Sequence, residues 1–512
     1  MPSPPLVRAR LWVDEGPGRL PEQRPGVLVR PPASTAVCFS GGGTRSMVAT
    51  IGQLRGLAAL GLLARTGYLS CVSGSAWAAV PYLFAADGPR RLGAVTPPGA
   101  LRVGALERID PDSLLAPATG GFRETLEGLD ADPAVPPTEV WIRAVGATFL
   151  ESYGLNDRDR AVGCAAGAVM GGEADTGDRH RPRDPQPFPV VHATLNWPES
   201  RGPDQQRVPF EMTPLYAGVG RRRRLRAGQR RRRTVGGILL EPAAAGCLAP
   251  ETPPAADGRV TVRPPRRPLS LALALGASSA LNRPDRDVRA YPHLRTWTLP
   301  GPDGGPDVED DLLTDGGDLD PLALLGMLRR KVTRIVVFLN SVWPLASGHD
   351  PARWPEPGEI DPALPPLFGE DSPRWPHNRV FPREGYRTLV TGLQDARREG
   401  RPRAVTTRLP VLGNDWWGID GGWEVSVCWV YGSRVDQWET RLPEATRTLL
   451  FTPDDSGPAA RFPHYLTVGQ NAGALTRLTP LQANLLAELA GWVVLESAAE
   501  LTAALGDPSS PW

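Results

Sequence analysis

The sequence predicts an α/β fold in which a mainly parallel central sheet is flanked by helices, and three observations predict it. Two short apolar runs of β type, Thr35 to Phe39 and Tyr68 to Val72, are separated by a helical pattern from about Arg45 to Leu63, the layout of a parallel β-α-β unit. A third run, Thr333 to Asn340 (TRIVVFLN), reads as a buried strand. The first two runs each end in small residues, at Ser40-Gly41-Gly42-Gly43 and at Ser73-Gly74-Ser75, where the chain can turn sharply before a helix.

The remaining elements follow in chain order. Residues 1–33 are rich in Pro and Arg and read as an irregular lead-in to a single domain spanning 34–505, with a tail at 506–512. Insertions are expected at about 85–137, 196–268 and 345–460. A helix should begin at Ser75, kinked or shortened by Pro81. Glu139 to Leu150 is helical in pattern, Pro189 to Leu195 reads as a strand, and Asp320 to Lys331 is helix-like. Nine arginines between Arg221 and Arg233 have a charge density that predicts a loop. Near the C-terminus Thr479-Pro480-Leu481-Gln482 combines a capping box with proline at the first helical position, so a helix should run from there to about Leu505.

Composition excludes several function classes. The 512 residues carry 57 basic and 56 acidic side chains, a formal charge of +1, so no global field favours nucleic acid. Lys331 is the single lysine; with abundant Arg, Ala, Pro and Gly this is the codon bias of a GC-rich genome, and a bacterial source is expected. No secretory leader and no run of about 18 apolar residues is visible. Five scattered cysteines lack metal-type or paired spacing, so the expectation is a reducing, cytoplasmic setting with no metal and no cofactor.

The two turn segments hold the chemistry. A serine hydroxyl needs a base to take its proton, and attack on an ester creates an oxyanion that needs aimed donors. Ser73, flanked by Gly74, supplies a hydroxyl on a strand-turn-helix elbow, and the amides of Gly42 and Gly43, with Gly41 as a third candidate, supply donors. Alone, the glycine loop serves equally as a structural turn, although the missing Gly-Lys-Ser/Thr excludes a P-loop. None of the six histidines lies in a recognisable motif. Asp315, in Leu313-Thr314-Asp315-Gly316-Gly317, is the better base, in competition with Asp310, Asp311, Asp318 and Asp320. Ser75 is a rival nucleophile, and Arg45 has a helix-surface role as its alternative.

SGGGTR, VSGSAW and TDGG in that order resemble the patatin-like and cytosolic phospholipase A catalytic domains, with Ser73-Gly74-Ser75-Ala76-Trp77 closer to the cytosolic branch. Phe210 to Pro214 and Leu275 to Ala280 resemble two further segments of that branch, and the likeness spans roughly 35 to 340. The resemblance implies a Ser73-Asp315 dyad, an acyl-enzyme intermediate, Arg45 on a substrate phosphate, and lipid esters as substrates; calcium is not implied, because a calcium-dependent membrane-binding domain is not expected before residue 35. The arginine run is then a candidate for peripheral contact with anionic membrane. Cys71 stands where the family has glycine, and this departure raises the alternative of a catalytically degenerate lipid- or partner-binding member.

Overall fold

A computed structural model describes the chain except residues 1–5, 15, 17–18, 171–177, 185–186, 200–203, 228–230, 249–254, 256, 264, 282–286, 299–306, 452–456, 468–476 and 507–512. The described chain forms two compact units: Met1–Pro32, Leu83–Ala86 and Glu124–Leu319 in the first, and Ala33–Tyr82, Asp87–Arg123 and Asp320–Trp512 in the second.

The second unit holds the parallel sheet. Its strands run in the order Tyr68–Val72, Thr35–Phe39, Arg334–Leu339 and Trp423–Tyr431, all parallel, with Ala404–Val411 antiparallel at the edge. Every residue of the first two strands is buried, as parallel strands covered by helices on both faces require. Phe39 and Phe338 are register partners and stack at 5.3 Å. The last two strands lie within the segment expected to be an insertion. The Pro-rich stretch at 350–383 obscured them, and Trp423–Tyr431 (WEVSVCWVY) is a buried sheet strand.

Helix Gly43–Ala59 follows the glycine loop and is buried over its first fifteen residues. It packs against helix Pro480–Glu496 through glycines: a Cβ on Gly52 would overlap the Ala487 carbonyl, and one on Gly56 would meet Val494. Arg55 and Glu488 form a buried ion pair at 3.2 Å, and Glu488 also accepts from the Thr96 amide at 2.7 Å. The predicted capping box is present, with Thr479 Oγ1 accepting from Gln482 N and Gln482 Oε1 from Thr479 N. The helix stops at Ser497, and a separate helix, Ala498–Leu505, completes the stretch expected to be continuous. Pro81 is accommodated inside the short helix Ala76–Phe84.

The first unit is antiparallel. Its ladder runs Arg259–Val262, Val7–Val13, Ile238–Leu240, Ala217–Val219, Gln206–Met212, Phe188–Trp197, Asp307–Asp315, His293–Thr298. Val7–Val13 lies in the expected lead-in, yet its Ala9, Leu11 and Trp12 are buried, and this burial draws a Pro- and Arg-rich terminus into the sheet. Helices Pro137–Phe149 and Leu271–Ser279 pack together, with Trp141 Nε1 donating to Gly276 O at 3.1 Å.

The arginine run is a two-stranded ribbon, Arg223–Ala227 against Arg231–Val235, and residues 228–230 of the run lie outside the described residues. Alternation overrides charge density: Leu225, Ala227 and Arg233 are buried, while Arg222, Arg224, Arg226 and Arg232 are exposed. Arg233 is neutralised by a two-pronged pair with Asp311, its Nη2 to Oδ2 distance being 2.9 Å. Among the described residues no helix is long and apolar enough to cross a membrane.

Candidate active site

Ser73 belongs to the second unit and Asp315 to the first. The serine leaves its strand at φ +57°, one of four non-glycine residues with positive φ among the described residues. A left-handed serine costs roughly 1–3 kcal/mol and persists only where its surroundings over-determine it. Those surroundings are visible. Ser75, fully buried, accepts from the Val72 amide at 3.0 Å, and its hydroxyl oxygen lies within 2.9 Å of the Phe39 and Val72 carbonyl oxygens. That engagement ties the elbow to the neighbouring strand end and makes Ser75 a brace. A Cβ on Gly74 would overlap the Gly43 carbonyl, so glycine is required there and the elbow lies directly on the loop.

The glycine loop is shaped by positive φ at Gly42 (+137°) and Gly43 (+61°). Gly41 contributes closeness: a Cβ there would lie 3.1 Å from Ser73 Cβ. Its amide donates to Pro321 O at 2.9 Å, which engages the donor that the oxyanion role expected of Gly41 would need. Helix geometry leaves the first-turn amides without intrahelical acceptors. Thr467 takes one of them, with Oγ1 accepting from Arg45 N at 3.1 Å and donating to Gly42 O at 2.9 Å.

Arg45 is 6% exposed and turns inward, away from the helix-surface role. Nε donates to Asn340 O at 3.0 Å and Nη1 to Tyr465 O at 2.7 Å, and a Cβ on Gly42 would overlap Nη2. Burial lowers its pKa to about 10 against the opposing charge of Asp361. Asn340, ending the strand read as TRIVVFLN, is the hub of this brace. Its amide donates to Ser40 Oγ at 2.7 Å, its Nδ2 to Ser46 Oγ at 3.2 Å, and its Oδ1 accepts from Gln53 Nε2 at 2.7 Å. Sequence reasoning missed Asn340, Tyr465 and Thr467; the one signal was a polar residue closing an otherwise apolar strand.

Cys71 sits in regular strand register opposite Phe39, buried, with its thiol pushed up to about 12 by burial. The left-handed backbone of the elbow is at Ser73, two residues on. Cys38 and Cys71 are free thiols, as the sequence suggested. His464 is buried with Nδ1 2.9 Å from Ser341 O, and burial lowers its pKa to about 4.

Asp315 closes strand Asp307–Asp315. Its amide donates to Ala280 O at 2.9 Å, its carbonyl accepts from Thr194 Oγ1 at 2.9 Å, and Oδ1 accepts from Gly317 N at 2.7 Å, so backbone and carboxylate are both fixed. It is 6% exposed. Its rivals have other duties. Asp311 pairs with Arg233, Asp318 accepts from Thr314 Oγ1 at 3.0 Å, and Asp320 accepts from Leu325 N at 2.7 Å, with burial pushing its pKa up to about 6.

No family profile and no curated protein matches the sequence. Three solved structures of human GIVD cytosolic phospholipase A2 are similar in fold. The first aligns at 14% identity with a TM-score of 0.42, covering 93% of this chain and 60% of that one. Two others, both in complex with methyl γ-linolenyl fluorophosphonate and one of them also with terbium chloride, align at 16% and 15% identity with TM-scores of 0.39 and 0.38. This chain spans about three-fifths of the length of those it matches.

Proposed function

We propose that the chain is a serine-dependent carboxylic ester hydrolase of the phospholipase A or lysophospholipase type, acting on phospholipid or other lipid acyl esters. The observation that carries the reading is the left-handed backbone of Ser73 at the end of a buried parallel strand, against a glycine loop at a helix start. The order of SGGGTR, VSGSAW and TDGG in the sequence supports it.

In the proposed reaction Asp315 takes the proton of Ser73 as Oγ attacks the acyl carbonyl carbon. The Gly42 and Gly43 amides receive the developing oxyanion, each such donor being worth about 3 kcal/mol of barrier. The acyl-oxygen bond breaks as the leaving alcohol or lysophospholipid takes the proton from Asp315. Water, deprotonated by the same carboxylate, then attacks the acyl-enzyme and restores Ser73. No metal or cofactor takes part. Arg45 fixes the loop through Nε and Nη1, and the contact with a substrate phosphate falls to Nη2, beside Gly42. Arg222, Arg224, Arg226 and Arg232 give the ribbon an exposed cationic face suited to peripheral contact with anionic membrane from the cytoplasm.

Hydrolysis of a short-chain p-nitrophenyl ester tests the reading. Activity lost in both Ser73→Ala and Asp315→Ala is the expected result; undiminished activity in either variant removes that residue from the mechanism. A wild-type chain that binds lipid without turnover would replace the enzyme with a binding protein.

A further inference from the structure

The first unit contains a cleft of about 510 Å³, a volume typical of small-molecule sites. Four guanidiniums line it, those of Arg158, Arg266, Arg267 and Arg295, together with His293. Glu139, also in the lining, gathers part of this charge. It accepts from Arg158 at 2.9 Å, pairs with Arg267 at 3.4 Å, and is held besides by Arg143 from one helical turn away. Burial would raise the Glu139 pKa, but hydrogen bonds from Arg143 and Arg158 and the Arg267 charge outweigh it and hold the carboxyl below its usual range. One carboxylate shared by three guanidiniums positions them without neutralising them all.

The Arg266 and Arg295 side chains are exposed and form no hydrogen bond or ion pair among the described residues. Asp310 lies across the ladder from Arg295, and with Asp159 it completes the acidic lining, so four fixed positive charges face three negative ones before Arg143 is counted. Two helices also begin at the cleft. Thr138 and Glu139 belong to the first turn of Pro137–Phe149, and Ser270 is the N-cap of Leu271–Ser279, so the positive ends of both helix dipoles add to the arginine charge. His293 Nδ1 lies 2.8 Å from Tyr291 O, which fixes the ring orientation.

We propose that this cleft binds a small phosphate ester, with Arg266 and Arg295 forking onto phosphate oxygens beside the Arg158 and Arg267 guanidiniums positioned by Glu139. The site stands apart from the ester-hydrolase reading and uses none of its residues.

Calorimetric titration of the full chain with inorganic pyrophosphate tests it, alongside sedimentation with phosphatidylcholine vesicles containing phosphatidic acid. Wild-type protein should bind pyrophosphate saturably, one per chain. Arg266→Ala/Arg295→Ala should weaken binding by about tenfold or more, since each charge-assisted hydrogen bond contributes on that scale. Both side chains are exposed, so the thermal midpoint should not move. Vesicle retention unchanged in the double variant assigns a soluble ester, and retention lost in parallel assigns a lipid headgroup to the same cleft. Absence of saturable pyrophosphate binding would overturn the proposal, as would equal affinity in wild type and variant, or a loss produced by Arg224→Ala/Arg226→Ala on the ribbon.

Discussion

Ser73 ends a buried parallel strand and turns at φ +57°, whereas Asp315 ends an antiparallel strand and caps its own turn through Oδ1 and the Gly317 amide. The serine is held in a conformation it would not choose, by Ser75, by the Gly74–Gly43 approach and by the buried hub at Asn340. The aspartate needs no strain: ladder register and hydrogen bonds with Ala280 O, Thr194 Oγ1 and the Gly317 amide orient it. The two residues thus ask different things of the fold. In the proposed dyad Ser73 stands at a forced, buried turn and Asp315 is held in a fixed direction.

The largest expected effect breaks both halves at once. If they act as a unit, Ser73→Ala and Asp315→Asn should each lower kcat by about 10⁴-fold or more, and the double variant should fall no further than the worse single one. Multiplied losses would mean that the two residues act independently. Next in size is Gly74→Ala, whose Cβ overlaps the Gly43 carbonyl and should cost about 3 kcal/mol in urea denaturation. Gly317 has no positive φ, so Gly317→Ala serves as the comparison, and the difference between the two variants measures how much more the serine half depends on its backbone.

His464 gives a pH signature to the serine half. Its folded pKa of about 4 lies below the ordinary value of 6.5, so the unfolded chain takes up the proton first as pH falls. Its stabilising contribution is complete above pH 6.5 and is lost as pH drops toward 4, by about 3 kcal/mol. Asp320 acts with the opposite sign. Its folded pKa of about 6 exceeds the ordinary 3.8, so it favours the folded state at low pH and loses that advantage as pH rises from 3.8 to 6. Denaturation midpoints at pH 7 and pH 4 should therefore separate wild type from His464→Gln, with the variant less sensitive to acid; identical pH dependence would remove His464 from the account.

Smaller effects sharpen the contrast at the periphery. Arg224→Ala/Arg226→Ala should weaken sedimentation with phosphatidylserine vesicles by about 2 kcal/mol, near 1 kcal/mol per arginine, and leave p-nitrophenyl ester hydrolysis unchanged. Thr467→Val removes the bridge between Arg45 N and Gly42 O and should cost about 1 kcal/mol of stability. A fall in kcat without a change in KM would accompany it if the loop receives the oxyanion as proposed, because the bridge shapes that loop. Equal stability in the valine variant would show that the bridge is idle.

The elbow was legible in the sequence because it is local: strand, small residues and helix follow one another within Tyr68 to Phe84. The parallel strands were legible for the same reason, each being a continuous apolar run. The braces were not. Asn340, Tyr465 and Thr467 reach Arg45 from sequence separations of 295, 420 and 422 residues, and no local pattern announces such contacts. The arginine ribbon was misread because charge density was weighed above alternation, and the burial of Arg233 depends on Asp311, 78 residues away. The engagement of Gly41 was hidden for the same reason, since the acceptor of its amide, Pro321 O, lies far along the chain.

Covalent labelling with an alkyl fluorophosphonate, followed by intact mass and peptide mapping, tests the central claim most directly. One adduct per chain is expected on Ser73, lost in Ser73→Ala and much slowed in Asp315→Asn. An adduct on another serine, or ester hydrolysis by a chain whose Ser73 stays unlabelled, would contradict it.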